Sequence, residues 1–511
     1  MRGKKNRGKN PSYLSLNKEY IFLFLLVLVS SCVRLIDLTT YPALIDNESR
    51  IGMYAKKMIN EKSLLQIIDS GVEPPWPVYL VVPSILFFGY KVLSLRIVSF
   101  IVSILSIILT YFFTRKYISK NAAVFAATLY AFSPWILYFS RISSEYSYLS
   151  LFSLLTLIFL FEYFKSDDVK YLYFTSLSIS VGVNIKPIFL QFFLALIISS
   201  LIFYRKKFYG LNKKQIVIIL ILLVIPSIPY LSYHIDTDFQ TFKYLWGFAV
   251  GKQSSVYIDN SAFLDNSVYK IKQATHQFTF LLWAAWIYFI FRKNKKQSFL
   301  GLIIFISLIG LSYTLHILRE EHNILLEPIP QIIISGFIVS LLRKARRIQK
   351  ELYAAFFILI IAFSINNVCQ VNQKLSPYYA GNLYKNINHY FSSQEKISGI
   401  YAPARFIAWN FQYILHNKFK ISYFQEMIDY PQDSEKIRKE DLPEENIHNL
   451  FTEQNVYYVS GFCWNQEFCD ISREFIIEVL QRNNINYDEK IYYYGKQNQN
   501  KVHIIKINPS I

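Results

Sequence analysis

Cysteine is scarce in this chain, with four in 511 residues. That number cannot supply a disulfide framework, so the fold must rest on other interactions. Cys32 and Cys369 fall at apolar runs and read as packing residues. Cys463 and Cys469, in Phe462-Cys-Trp-Asn-Gln-Glu-Phe-Cys469, have no histidine close by to complete a zinc site. They read as a disulfide closing a small loop, with two free thiols as the alternative. No small-residue cleavage site follows the first apolar run, so that run is expected to be an uncleaved anchor rather than a signal peptide. Internal repeats are absent, and so is any low-complexity linker beyond a basic N-terminal tail. Acidic residues are few, 35 against 54 basic ones, for a net charge of +19.

That charge does not point to nucleic acid. The basic residues come in separated clusters between apolar runs: Arg2 to Lys9, Arg115/Lys116/Lys120, Lys165/Lys170, Arg205 to Lys214, Arg292 to Lys296, and Arg343 to Lys350. Of all residues, 53% are hydrophobic and 17% aromatic. Apolar runs of about twenty residues recur from Tyr20 to Val368, the length that crosses hydrocarbon. Placing every basic cluster in the cytoplasm obeys the positive-inside rule and needs two spans between successive clusters. The expected spans are 20–36, 94–113, 122–138, 148–164, 171–185, 187–203, 215–233, 277–291, 298–315, 324–342 and 352–369. This makes an all-α polytopic membrane protein of about eleven helices. Spans five and six are separated only by Asn184-Ile-Lys-Pro187, so either could be tilted or broken. An odd count puts the N-terminus inside and the C-terminal part outside. Tyr and Trp near span ends, such as Trp135, Tyr171, Tyr204 and Trp283, fit an aromatic belt.

The expected organisation is a basic cytoplasmic tail (1–19), a membrane domain (20–370) with an outer loop (37–91), and an extracytoplasmic α/β domain (371–511). The loop holds a helical-looking stretch, Arg50 to Glu61, and a short apolar run, Val78 to Phe88, expected on the outer membrane surface. In the C-terminal part, 397–401, 456–459, 491–494 and 502–507 read as strands, and 405–415 and 475–482 as helices. That part carries no catalytic signature; covering the membrane cavity or holding an acceptor is its expected task.

The chemistry concentrates at the outer boundary. Asp46, Asn47 and Glu48 follow the first span, and Glu145 follows the third. Acids at a membrane boundary are costly to desolvate and usually line a wet cavity with a function. Arg50, Arg141, Lys186 and Arg319 add positive charge at similar depth. Carboxylates beside cations suit a reacting anionic lipid headgroup: an acid deprotonates a nucleophile, and cations stabilise a phosphate leaving group. The bland alternative is structural pairing at loop ends. His234, His276, His316 and His322 near outer loop ends read as hydrogen-bonding residues rather than catalysts.

The run Asn47-Glu-Ser-Arg-Ile-Gly-Met-Tyr-Ala55 resembles the Asp-Glu-Ala-x-Ile-Gly-x-x-Ala motif of the C-type membrane glycosyltransferases. The resemblance is to the branch of the protein O-mannosyltransferases and the lipid A aminoarabinose transferase. Pro74-Pro75-Trp-Pro-Val-Tyr-Leu80 with Phe88-Gly89, Leu95-Arg96-Ile-Val-Ser99, Ser133-Pro-Trp-Ile-Leu-Tyr-Phe-Ser-Arg-Ile142 with Glu145, and Lys186-Pro187 continue it in order. Beyond about residue 210 it is weak, apart from Arg319 and the Pro328/Pro330 segment.

The resemblance implies a sugar donor on a polyprenyl phosphate or diphosphate. It implies transfer at the outer face to a glycan, lipid or protein acceptor, usually with inversion at the anomeric carbon. It implies a base in the first loop, a supporting acid after span three, and basic residues on the phosphate. Two departures matter. The expected base position carries Asn47, whose amide takes no proton, so Asp46 is the expected base, with Glu48 orienting it or holding a cation. Relatives carry Lys before Pro-Pro where this chain has Glu73, so position 73 in the substrate site is of opposite sign, and Lys186, Arg141 or Arg319 must compensate. No cofactor is expected to be required; Asp46-x-Glu48 could hold Mn²⁺ or Mg²⁺, but the matching branch works without metal. The expected location is a bacterial inner membrane. Two other readings use the same features: a transporter of lipid-linked sugar, or an inactive envelope scaffold.

Overall fold

The computed structural model describes residues 18–40, 42, 46–62, 75–236, 279–314, 324–344, 349–375, 383–394, 397–404, 410–411, 414–415, 421–425, 456–460, 466–482, 484–494 and 500–508. The helices are α1 (Lys18–Leu35), α2 (Asp46–Glu61), α3 (Trp76–Phe88), α4 (Val92–Tyr117), α5 (Lys120–Ala131), α6 (Pro134–Phe139), α7 (Tyr146–Ser166), α8 (Lys170–Ile185), α9 (Phe189–Tyr204), α10 (Lys213–Val224) and α11 (Ile228–Asp236). Further described helices lie at Thr279–Phe291, Lys295–Thr314, Ile329–Leu342, Gln349–Leu375, Leu383–Ser392 and Gln466–Arg482. Among the described residues, the helical stretches Val92–Tyr117, Tyr146–Ser166, Phe189–Lys207 and Glu351–Val371 are long and apolar enough to cross a membrane. Three shorter apolar helices, at Trp76–Phe88, Leu281–Phe291 and Ile329–Leu342, accompany them.

Proline explains where expected spans divide. The run 122–138 splits into α5 and α6 because Pro134 lacks the N–H that a continuing helix needs, yet suits the first turn of a new one. Pro226 separates α10 from α11 in the same way. Gly89 ends α3 with φ at +76°, a conformation that side chains with a Cβ rarely adopt.

Within lipid, helices gain little from burying apolar surface and associate by close packing. The small residues of α5 supply it. Ala122, Ala123, Ala126, Ala127 and Ala131 are all fully buried, and α5 packs against α4 and the Ile329–Leu342 helix. The large apolar side chains of α9 and α10, among them Leu194, Leu201, Ile202 and Leu220, point outward, as a lipid-facing surface requires.

Among the described residues, basic side chains of several clusters gather at one end of this bundle. Arg115 and Lys120 pair with Glu19 at 3.0 and 2.9 Å, and Lys116 pairs with Glu162. Lys207 pairs with Asp167 at 2.7 Å, while Lys295 and Lys296 lie over the rings of Tyr204 and Tyr117. Along α4, Arg115 stands about 28 Å from Arg96, close to the thickness of a hydrocarbon core.

After residue 383 the chain forms one five-stranded sheet, β1 (Gly399–Ala404), β2 (Ile421–Gln425), β3 (Val456–Ser460), β4 (Asn486–Tyr494) and β5 (Asn500–Asn508), in the order β2-β1-β3-β5-β4. β1 runs parallel to β2 and β3, and the β4–β5 pair closes the sheet antiparallel. Alternate residues face opposite sides. Tyr457, Val459, Val502 and Ile504 join Leu383, Ile387 and Phe391 of the Leu383–Ser392 helix in one apolar cluster, which also contains Ile51 and Ala55 of α2 and Val78, Val81 and Ile85 of α3. Val456, Tyr458, Ile505 and Ile507 pack instead with Phe475, Ile476 and Leu480 of the Gln466–Arg482 helix. One apolar cluster therefore links one face of the sheet to the loop helices that precede α4.

A charge cluster ties the Gln466–Arg482 helix to the closing hairpin. Arg473 meets Glu489 with two bonds of 2.5 and 2.6 Å, and His503 Nδ1 lies 2.7 Å from the same carboxylate. The Arg473 guanidinium, helped by His503, holds the Glu489 carboxyl below the usual carboxylate range, and burial pushes His503 below its ordinary value. Both shifts act alike: the unfolded chain takes up protons before the folded one as pH falls. The stability these two groups contribute is full above about pH 6.5, the unperturbed His value, and declines on acidification, first through His503 and then through Glu489. Thermal melting in detergent across pH 4–8 measures this. His503→Gln removes the upper part of the decline; Glu489→Gln lowers stability at pH 7 by about 1.5–3 kcal/mol.

Candidate functional site

The site is built on the first turns of α2. Residues 47 and 50 are three apart and share a helix face, while residue 48 is turned about 100° away. Glu48 points into the bundle and is fully buried. Arg96, also fully buried, meets it with a fork, Nε to Oε1 at 2.8 Å and Nη2 to Oε2 at 2.6 Å. The Ser143 N–H adds a bond to Oε1 at 2.9 Å. The remaining Arg96 nitrogen donates to the carbonyls of Leu38 and Pro42 at 3.0 and 2.8 Å. One ion pair thus joins α2, α4, the end of α1 and the loop after α6. Two unit charges buried together need this completeness of hydrogen bonding to be tolerated.

The other face of α2 carries the accessible chemistry. Arg50 Nη2 donates to Asn47 Oδ1 at 3.0 Å and to Glu145 Oε1 at 3.1 Å. Asn47 Nδ2 lies 3.5 Å from Glu145 Oε2. Lys186 Nζ approaches Glu145 Oε1 at 3.8 Å and sits 4.6 Å from the centre of the Tyr146 ring. Glu145 is 1% exposed, Arg50 11% and Lys186 23%. Two cations therefore converge on one buried carboxylate, and each keeps a solvent-facing side.

Lys186 is held where α8 stops. Pro187 prevents continuation, and Lys186 itself is extended. The turn is tight: a Cβ on Gly182 would stand 2.6 Å from the Phe189 ring, so only glycine lets the returning chain pack there. Asn184 Nδ2 donates to Ser180 O and to Ser227 Oγ at 2.8 and 2.6 Å, and Trp76 Nε1 donates to Pro226 O at 2.9 Å. These bonds connect the end of α8 to the α10–α11 break and to α3.

Arg141 donates to the carbonyls of Val33, at 2.9 Å, and Ile36, so in this structure it caps the end of α1. Asp46 is the first residue of α2, and its side chain lies outside the described residues, as do Glu73, Arg319 and Cys463. Cys469 is on the Gln466–Arg482 helix with its side chain likewise outside the description. Among the described residues no group of three or more His, Cys, Asp or Glu is placed to hold a metal. Arg34 is the residue that sequence reasoning missed. It is fully buried and donates to Ser103 Oγ at 3.0 Å, Ser30 Oγ at 2.5 Å and Ala131 O at 2.6 Å, joining α1 to α4 and α5. A lone arginine near the end of an apolar run was the available signal.

Residues 72–233 match the family described as dolichyl-phosphate-mannose-protein mannosyltransferase. No curated protein sequence matches the chain. Among solved structures, ArnT from Cupriavidus metallidurans in the apo state aligns with a TM-score of 0.65 at 12% identity, over 95% of this chain and 98% of that one. The same protein bound to undecaprenyl phosphate aligns with 0.65 and 12% over 94% and 98%. The Archaeoglobus fulgidus oligosaccharyltransferase tethered to an acceptor peptide aligns with 0.52 and 16% over 96% and 74%. At these identities the structures show a shared fold, over 94–96% of this chain.

The Glu48–Arg96 pair makes the site's framework testable. Arg96→Met strands a buried carboxylate and destabilises the protein by about 3–5 kcal/mol. Combining it with Glu48→Gln recovers part of that loss, because no charge is then left unpaired. Arg96→Lys does not substitute, lacking the planar fork. Thermal melting of the three variants in one detergent measures all of this.

Proposed function

We propose that this chain, which shares its fold with the C-type membrane glycosyltransferases, transfers a sugar from a polyprenyl phosphate or diphosphate to an acceptor at the outer face of the membrane. The observation that carries the reading is the convergence of Arg50 and Lys186 on Glu145 at the end of the bundle remote from the basic clusters. Guanidinium and ammonium groups side by side suit a lipid-linked phosphate, the first as a fork and the second as a mobile charge. They would bear the charge that grows on the phosphate as the glycosidic bond breaks. A carboxylate of the same cluster would take the proton of the attacking acceptor.

The supporting groups follow from the geometry. Glu48 and Arg96 fix the rotation of α2, and thereby the place of residues 47 and 50. The C-terminal sheet, linked to α2 and α3 by one apolar cluster, would cover the site and hold the acceptor above it. In this reading the basic end faces the cytoplasm and the sheet lies outside, in an inner or plasma membrane. A single-displacement transfer would invert the anomeric carbon. The match of residues 72–233 to a mannosyltransferase family supports a hexose donor.

The test uses purified protein in lipid, a panel of polyprenyl-phosphate sugars, cell-envelope extract as acceptor, and detection of released polyprenyl phosphate. Release with at least one donor is expected. Lys186→Ala and Arg50→Ala should each lower kcat/KM for that donor about tenfold to a hundredfold, in keeping with loss of a charged hydrogen bond. Movement of intact donor across the bilayer without release would instead identify a transporter.

A further inference from the structure

We infer that in this chain Glu145 is the general base, and that Arg50 and Lys186 keep it engaged until a donor phosphate draws them away. This rests on the transferase reading above. The position that resemblance assigns to the base holds Asn47, which cannot accept a proton. The carboxylate beside that amide is Glu145, whose Oε2 lies 3.5 Å from Asn47 Nδ2. Position 46 is one step back along α2 and therefore about 100° around its axis. The helix cannot roll to bring position 46 to the place of position 47. Its rotation is pinned by Glu48, which accepts both arms of the Arg96 fork and the Ser143 N–H.

The amide at 47 also makes sense of its neighbours. A second carboxylate 3.5 Å from Glu145 would force the pair to share a proton. Asn47 instead donates toward Glu145 through Nδ2 and accepts from Arg50 through Oδ1. Among the described side chains it leaves one acid beside Asn47, where the resemblance implies two. Both cations contact Oε1 of Glu145, at 3.1 and 3.8 Å, whereas Oε2 is on the Asn47 side. A phosphate brings more charge than a carboxylate and matches the arginine fork. When the donor binds, Arg50 and Lys186 turn to its phosphate, and Glu145 becomes available to the acceptor.

The step then balances. The acceptor hydroxyl oxygen forms a bond to the anomeric carbon. The bond between that carbon and the phosphate oxygen breaks, and its electron pair leaves with the polyprenyl phosphate. The hydroxyl proton goes to Glu145 and later to water. The cations that released Glu145 are those that carry the leaving charge, so activation of the base is linked to the presence of the donor.

The experiment compares wild type, Glu145→Gln, Glu145→Gly and Asp46→Asn in the release assay, with melting curves for each. Glu145→Gln should lower kcat by about a hundredfold or more while changing the donor KM only a few-fold. Glu145→Gly should regain at least tenfold when formate is added, and Asp46→Asn should show no formate response and lose at least tenfold less than Glu145→Gln. If Glu145→Gly does not fold, the Gln variant and its kcat-against-KM split decide. Substantial turnover by folded Glu145→Gln, or a larger loss in Asp46→Asn, overturns the assignment and leaves the transferase standing. No release by folded wild type with any donor overturns the transferase reading and this inference with it.

Discussion

The buried pair between Glu48 and Arg96 is the contact on which the arrangement of the site depends. Glu48 sits in the first turn of α2, and Arg96 near the start of α4, a helix of 26 residues. Their two bonds, with the carbonyls of Leu38 and Pro42 and the N–H of Ser143, gather four chain segments at one point. Replacing such a pair by apolar residues is often neutral for stability; what the pair gives is a single geometry. Here that geometry is the roll of α2, which sets where residues 47 and 50 project.

The second constraint is the asymmetry of the two ends of the bundle. At one end arginines and lysines pair with Glu19, Glu162 and Asp167 or lie on tyrosine rings. At the other, Arg50 and Lys186 share Glu145. Apolar helices separate the ends by about the depth of a bilayer. In the proposed function this puts the chemistry at a membrane boundary, where an anionic headgroup and a water-borne acceptor would meet. One apolar cluster links the sheet to α2, the helix that carries Asn47 and Arg50, and to α3.

Much of this was legible in the sequence, for definite reasons. Charges at the ends of apolar runs are conspicuous, so Arg50, Glu145 and Lys186 group together by their positions along the chain alone. Strands with alternating faces, such as 456–459 and 502–507, announced themselves by period. Pairings across long separations did not: Glu48 and Arg96 are both visible, but nothing local says that they meet. Arg141 stood out as a charge, but its bonds to the carbonyls of Val33 and Ile36 left no mark in the sequence, because every residue possesses a carbonyl. Short elements escaped as well. β2, at Ile421–Gln425, is too brief for its period to register, and the Leu383–Ser392 helix mixes polar and apolar residues over fewer than three turns.

The central claim is that Arg50 and Lys186 form the binding place of a lipid-linked phosphate. It is met most directly by equilibrium binding of undecaprenyl phosphate to the protein in nanodiscs, followed by native mass spectrometry. The account predicts one saturable molecule per chain, weakened at least tenfold by Lys186→Glu with the fold preserved. Saturable binding unchanged in that variant, or no binding by the folded wild type, would contradict it.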